Sequence, residues 1–212
     1  MKHFGLFILG VSIAACLIFA GLLATLLQNN KIEFTDETTI TEPILLATDP
    51  MEGSDSPQVI IVIFGDFSSE ISADLFAGLS TIVEEYANSV MVVWKDFSNE
   101  TLDPESGRAA IAARCAQKQS AFFPYAEMLM EHQYDLGDEL YLGIARELGL
   151  REGSFTRCLK KEKTRELVEE SLAQVEALDL TAAPTTFIDG ERVTGAISVN
   201  ELRTRINLLI GS

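Results

Sequence analysis

A group of serines follows the first strongly apolar run of the domain and is its densest set of candidate nucleophiles. The group comprises Ser68, Ser69 and Ser72. A serine hydroxyl becomes a catalytic nucleophile only beside a general base, usually a histidine held by a third group. The two histidines, His3 and His132, lie at the chain start and in a distant helical segment, and no Gly-x-Ser-x-Gly turn is present. The serines therefore predict helix capping rather than hydrolase chemistry.

The other residues able to do chemistry are the cysteines Cys16, Cys115 and Cys158. No cluster of His, Cys and Asp has metal-ligand spacing, and no glycine-rich loop resembles a phosphate-binding loop, so the sequence predicts neither a metal nor a cofactor. The formal net charge of −16 disfavours nucleic acid as a partner. The sequence therefore does not predict a metalloenzyme, a nucleotide-binding enzyme or a nucleic-acid-binding protein.

The predicted elements follow the order βαβ, helical block, ββα. Val59–Phe64 and Val90–Trp94 are continuous apolar runs typical of strands buried on both faces, and residues 68–87 between them have helical spacing. This unit predicts a parallel strand pair joined by a right-handed crossover. The block is then predicted to form helices over residues 105–119, 121–132, 138–148, 153–160 and 163–178.

The last part of the chain predicts a hairpin and a final helix. The strands Thr185–Ile188 and Glu191–Thr194 flank Asp189-Gly190, a strong signal for a tight turn. Ser198 and Glu201 form a capping box that begins the final helix, which is expected to end near Gly211.

This order resembles an α/β thioredoxin-like fold with an inserted helical domain, and more narrowly the DsbA-like family of extracytoplasmic thiol-disulfide oxidoreductases. The resemblance covers residues 49–206. The stretches that carry it are Gly53–Pro57, Phe64–Phe67, Lys95–Phe97, Arg108–Cys115, Phe155–Leu159 and Ala183–Gly190.

The chain departs from the family at the reactive motif. The family has Cys-x-x-Cys at the start of the first helix, where this sequence reads Ser69-Glu70-Ile71-Ser72. Disulfide exchange requires a thiolate, and helix-end electrostatics of roughly 0.3–2 kcal/mol cannot make a serine equivalent to it. We therefore expect no catalytic residue here, and a redox-inactive domain that binds a polypeptide or acts as a scaffold.

The resemblance also assigns expected roles to Cys115 and Cys158, since some family members have cysteines at these positions. A structural disulfide is the expectation for an extracytoplasmic domain. One alternative is that the pair, alone or with a partner thiol, makes the protein a thiol-disulfide oxidoreductase. Two free thiols are the other alternative, if the domain faces the cytoplasm.

Pro184 matches the cis-proline of the family, and Ala183 precedes it. In the family, the backbone beside this proline pairs with an extended substrate chain. The resemblance therefore implies a substrate groove at Ala183 and Pro184 and a polypeptide or envelope protein as partner. A structural subunit whose groove is covered by another chain is a further alternative, and the oligomeric state does not follow from the sequence.

Residues 1–27 are expected to be a transmembrane signal-anchor. Residues 4–27 contain no Asp, Glu, Lys or Arg, and as a helix they would be about 36 Å long, enough to cross a bilayer. The predicted orientation places the domain in the periplasm or outside a bacterial cell. A cleaved signal and lipidation of Cys16, within Ile13–Cys16, are alternatives; the apolar residues after Cys16 favour the uncleaved anchor.

The remaining boundaries follow from composition. Residues 28–48 are polar and Thr-rich and predict a tether, with one short strand at Ile44–Leu46. The folded domain is expected over residues 49–212, with its helical insertion at about 103–178.

Overall fold

The computed structural model describes residues 40–98 and 104–211 of the chain. These residues form a mixed five-stranded sheet in the order β1-β3-β2-β4-β5. Strands β2 and β3 are parallel, and the other neighbouring pairs are antiparallel. The strands are β1 Met51–Gly53, β2 Val59–Gly65, β3 Val90–Asp96, β4 Thr185–Ile188 and β5 Glu191–Thr194.

The helices confirm the predicted order. Helix α1, Glu70–Glu85, connects β2 to β3, and α7, Val199–Ile210, follows the hairpin and packs beside α1. Five helices between β3 and β4 form the helical insertion. They are α2 Pro104–Gln117, α3 Phe122–Glu131, α4 Asp138–Glu147, α5 Glu152–Leu159 and α6 Glu162–Ala177.

Both faces of the sheet are covered, which is why Val59–Phe64 of β2 and Val90–Trp94 of β3 are continuously apolar. On one face, alternate residues such as Ile61, Ile63 and Trp94 pack into the main core with α1, α7 and the insertion. On the other, Phe64 and Phe187 join a smaller core. The carboxyl ends of β2 and β3 thus meet both α1 and the insertion.

Two local predictions are confirmed at the chain's end. Asp189 and Gly190 have φ values of 48° and 85°, so both turn residues of the β4–β5 hairpin are left-handed. The Ser198 hydroxyl accepts a hydrogen bond from the Glu201 N–H at 3.2 Å and caps α7.

The structure differs from the sequence-based boundary at residues 40–48. The prediction of a strand at Ile44–Leu46 is wrong, because the backbone of Ile44 bonds to side chains instead of to a neighbouring strand. The Ile44 N–H donates to Gln174 Oε1 at 2.9 Å, and the Ile44 carbonyl accepts from Lys95 Nζ at 2.7 Å. The extra strand is β1, antiparallel to β3. Residues 40–48 lie on the domain because these contacts hold them there.

The predicted anchor over residues 1–27, including Cys16, lies outside the described residues. Between residues 40 and 98 and between 104 and 211, the chain has no helix with the length and apolar character needed to span a bilayer.

Candidate functional site

The start of α1 holds Ser69 and Ser72, the two positions at which the sequence resemblance predicts the reactive motif. Ser69 is the N-cap, and its Oγ accepts a hydrogen bond from the Ser72 N–H at 3.3 Å. Ser72 is only 1% exposed, and its Oγ accepts from the Asp66 N–H at 3.2 Å. Both hydroxyl oxygens are therefore acceptors for backbone donors, which confirms the capping prediction for Ser69.

Ser68 has a different role, because it bonds to a carboxylate instead of capping the helix. Asp66 Oδ1 accepts from the Ser68 N–H and the Ser68 hydroxyl, both at 2.8 Å. It also accepts from the Ser106 hydroxyl of α2 at 2.6 Å. Asp66 thus connects the end of β2, the start of α1 and the insertion. The sequence gives only its position between strand and helix as a signal.

Ala183 and Pro184 lie next to the end of β2, the strand that leads into α1, as the strand register shows. Thr185 is opposite Phe64, so Pro184 precedes β4 next to the end of β2. The Ala183–Pro184 peptide bond is cis, as the resemblance implies. The Pro184 carbonyl accepts from the Gly195 N–H at 2.8 Å. Within the described residues, neither the N–H nor the C=O of Ala183 has a hydrogen-bond partner.

The first turns of α1, which follow the end of β2, carry exposed apolar and acidic side chains. Ile71, in the first turn of α1, is 46% exposed. Glu70 and Asp74 of the same helix are also exposed. Phe67, by contrast, is buried against Trp94, with ring centroids 5.4 Å apart. Ala183 is partly exposed, and Pro184 is buried. We call Ile71, Ala183 and the backbone at Pro184 the cis-proline surface.

Cys115 and Cys158 form a disulfide between α2 and α5, with their Cα atoms 5.7 Å apart. The two residues are 1% and 6% exposed. Cys115 lies nine residues along α2 from Ser106, about 13 Å of helix. The bond is therefore enclosed within the insertion rather than presented at the start of α1.

Replacing both Cys115 and Cys158 with alanine is expected to lower the free energy of unfolding by about 4 kcal/mol, because cross-linking 43 residues restricts the unfolded chain. Urea titration followed by circular dichroism measures the change. Reduced wild-type protein is the control, since it loses the cross-link but keeps the sulfur atoms in the core. If the free energy of unfolding falls by less than about 1 kcal/mol in both the double variant and the reduced wild type, the disulfide does not stabilise the fold.

Two buried ion pairs fix the insertion and residues 44–49 to the end of β3. Lys95 Nζ lies 2.6 Å from Asp49 Oδ2, and both side chains are buried. Burial lowers the pKa of Lys95, and Asp49 opposes this shift. Arg114 Nε of α2 lies 2.7 Å from Asp96 Oδ2. Sequence reasoning did not identify either pair.

Arg114 and Asp96 have further partners that complete their hydrogen bonding. Arg114 also donates to the Thr48 carbonyl at 2.9 Å and to Ser171 Oγ at 3.2 Å. Trp94 Nε1 donates to Asp96 Oδ1 at 3.1 Å. Burial raises the pKa of Asp96, while Arg114 and Trp94 act in the opposite direction. These groups position the site's scaffold and do not reach its surface.

Comparison with known proteins places this architecture in a family. The family model described as Thioredoxin matches residues 46–207. The Na(+)/H(+) antiporter NhaA 1 of Mycobacterium sp. (strain KMS) is 25% identical over 159 residues, which are 74% of this chain and 26% of that protein. The Na(+)/H(+) antiporter NhaA of Herminiimonas arsenicoxydans is 26% identical over 192 residues, 88% of this chain and 30% of that protein. The chain thus spans less than a third of these curated relatives.

Solved structures share the fold. The thiol-disulfide exchange protein α-DsbA2 of Wolbachia pipientis has a TM-score of 0.70 at 22% identity, covering 77% of this chain and 88% of that one. Oxidised BdbD of Bacillus subtilis has a TM-score of 0.69 at 19% identity, with coverage of 81% and 97%. The family match and these likenesses agree with the observed sheet and insertion. The chain therefore belongs to the thioredoxin family and has a DsbA-like thioredoxin fold with a helical insertion.

Proposed function

We propose that this domain binds an extended polypeptide segment at the cis-proline surface and does not exchange disulfides with it. The observation that carries the proposal is the presence of Ser69 and Ser72 at the start of α1, where their hydroxyl oxygens accept backbone hydrogen bonds.

The loss of exchange chemistry follows from the reaction itself. A thiolate must attack a disulfide, form a mixed disulfide and then be released by a second thiol. Ser69 and Ser72 supply no sulfur for either step. The remaining bond between Cys115 and Cys158 is buried, and attack on a disulfide requires access to sulfur. This burial favours a structural role for the pair over the alternative of an oxidoreductase.

Retention of polypeptide binding is supported by the backbone of Ala183. Its N–H and C=O have no partner among the described residues. One such N–H and C=O pair supplies the two hydrogen bonds that an antiparallel residue pair exchanges. Ile71 adds an exposed apolar contact beside them. Glu70 and Asp74 favour segments that contain Lys or Arg over acidic ones.

The compartment is part of the same proposal. A buried disulfide persists in oxidising compartments such as the periplasm and the cell surface. Together with the apolar segment over residues 4–27, it supports a membrane-anchored domain outside the bacterial cytoplasm. Its partner would then be a secreted polypeptide or an envelope protein.

Ile71→Asp tests the binding surface. The probe is a fluorescent, cysteine-free peptide of alternating Val and Thr, whose uncharged side chains do not interact with the new carboxylate, and the measurement is fluorescence anisotropy with the full chain. We expect the variant to weaken binding about tenfold, since a partly exposed isoleucine contributes about 1.4 kcal/mol of apolar contact. Leu208→Asp, which makes the same charge change at a residue that is 69% exposed on α7, should leave affinity unchanged. Equal affinities for wild type and Ile71→Asp would contradict the proposed surface.

A further inference from the structure

The helical insertion contains a partly open cleft of about 410 Å³, formed by α2, α4, α5 and α6. Its apolar lining includes Ile111, Leu142 and Leu159. Its cationic lining consists of Arg108, Lys160 and Arg165. None of the residues of the cis-proline surface takes part in it. The cleft therefore combines an apolar interior with positive charge.

The charge of this cleft is opposite to that of the protein. The chain has 32 acidic and 16 basic residues, yet among the described residues three cations and one carboxylate, Asp138, line the cleft. Asp138 is already paired with Arg108, which also bonds to Glu105 at 2.9 Å. The hydrogen bond to Asp138 raises the pKa of Arg108. Within the described residues, Lys160 Nζ has no ion pair or hydrogen bond.

Cleft size and lining together specify a ligand class. Small-molecule sites are typically clefts of about 300–1,000 Å³ with mostly apolar walls and a few polar groups. Guanidinium groups match the geometry of carboxylate and phosphate, and ammonium groups bind the same anions as point charges. We propose that this cleft binds a small amphiphile with one carboxylate or phosphate group, whose anionic head faces Lys160 and Arg165 and whose apolar part contacts Ile111, Leu142 and Leu159.

The disulfide holds two walls of this cleft in place. Cys158 directly precedes Leu159 in α5, and Cys115 lies one helical turn after Ile111 in α2. Tyr141, which also lines the cleft, donates its hydroxyl to Glu105 Oε2 at 3.2 Å. The walls are thus cross-linked before any ligand arrives, which reduces the entropy lost on binding. In this proposal, the bond between Cys115 and Cys158 also holds the α2 and α5 walls of the ligand site in position.

Binding of naphthyl phosphate to the full chain in zwitterionic lipid nanodiscs tests the site, with equilibrium dialysis against empty nanodiscs as the reference. We expect saturable binding of one molecule per chain. The double variant Lys160→Glu/Arg165→Glu should weaken it by at least about tenfold. Arg157→Glu in α5, which makes the same kind of charge change outside the cleft lining, should change it by less than about twofold. Neutral naphthalenemethanol and inorganic phosphate should each bind more weakly than naphthyl phosphate, because each lacks one half of the amphiphile.

Nanodiscs that contain phosphatidylglycerol separate the two sources of such a ligand. If phosphatidylglycerol competes with naphthyl phosphate, the result supports the proposal and identifies a lipid headgroup as the source of the anion. If it does not compete, the result supports the proposal with a soluble amphiphile as the ligand. Equal affinity of wild type and the double variant overturns the proposal. So does capture of an acidic cysteine-free peptide at Lys160 and Arg165 without binding of naphthyl phosphate, because the occupant would then be a polypeptide.

Discussion

Replacing Ser69 and Ser72 with cysteine is expected to give the protein a thiol-disulfide exchange activity at least about 100-fold above that of the wild type. Position 69 caps α1, where the helix end stabilises a thiolate and lowers its pKa below the ordinary value near 8.5. Position 72 is one turn later and buried, so its thiol would close the intramolecular disulfide. Oxidation of a reduced model peptide and reduction of insulin measure the gain.

The matched control for this variant changes the same number of serines. Ser68→Cys/Ser72→Cys introduces two thiols but removes the hydrogen bond from the Ser68 hydroxyl to Asp66 and leaves the N-cap as serine. It should show much less activity. Clear turnover by wild-type protein that disappears in Cys115→Ala would contradict the proposal that the domain is redox-inactive. Failure of Ser69→Cys/Ser72→Cys to exchange disulfides, despite forming its own, would show that the missing sulfurs are not the only obstacle.

Replacing Arg114 with methionine is expected to lower the free energy of unfolding by about 3–5 kcal/mol, because Asp96 would be left as a buried carboxylate without its counter-charge. The carbonyl of Thr48 and the hydroxyl of Ser171 would lose a donor in the same variant. Urea unfolding followed by the fluorescence of Trp94, the only tryptophan of the chain, measures the effect beside the altered group.

Two further variants separate the cost of an unpaired charge from the loss of an arginine. Arg146→Met removes an exposed ion pair in which Arg146 lies 3.6 Å from Glu152, so it should change stability by less than about 1 kcal/mol. Arg114→Met/Asp96→Leu removes both buried charges and should recover a large part of the stability lost in Arg114→Met. Equal losses in the single and double variants would contradict the assignment of the cost to the unpaired Asp96.

Local sequence signals determined the order of the helices and strands. The strands Val59–Gly65 and Val90–Asp96 were recognisable from the apolar runs Val59–Phe64 and Val90–Trp94, because strands buried on both faces are mostly apolar. The Asp189-Gly190 turn and the Ser198 cap depend on residues at most three positions apart, so short motifs reveal them. The prediction that Ser69 and Ser72 occupy the reactive positions likewise depends on only four consecutive residues.

Only the tertiary structure decided which distant polar groups meet. Arg114 bonds to Thr48 across 66 positions, and Ser106 bonds to Asp66 across 40. No periodicity or turn motif links residues so far apart, because their contact depends on how whole helices pack against the sheet. The same reason explains why the predicted tether, residues 28–48, included Ile44 and Thr48, which bond to the domain. It also explains why the cationic cleft between α2, α4, α5 and α6 had no signal in the sequence.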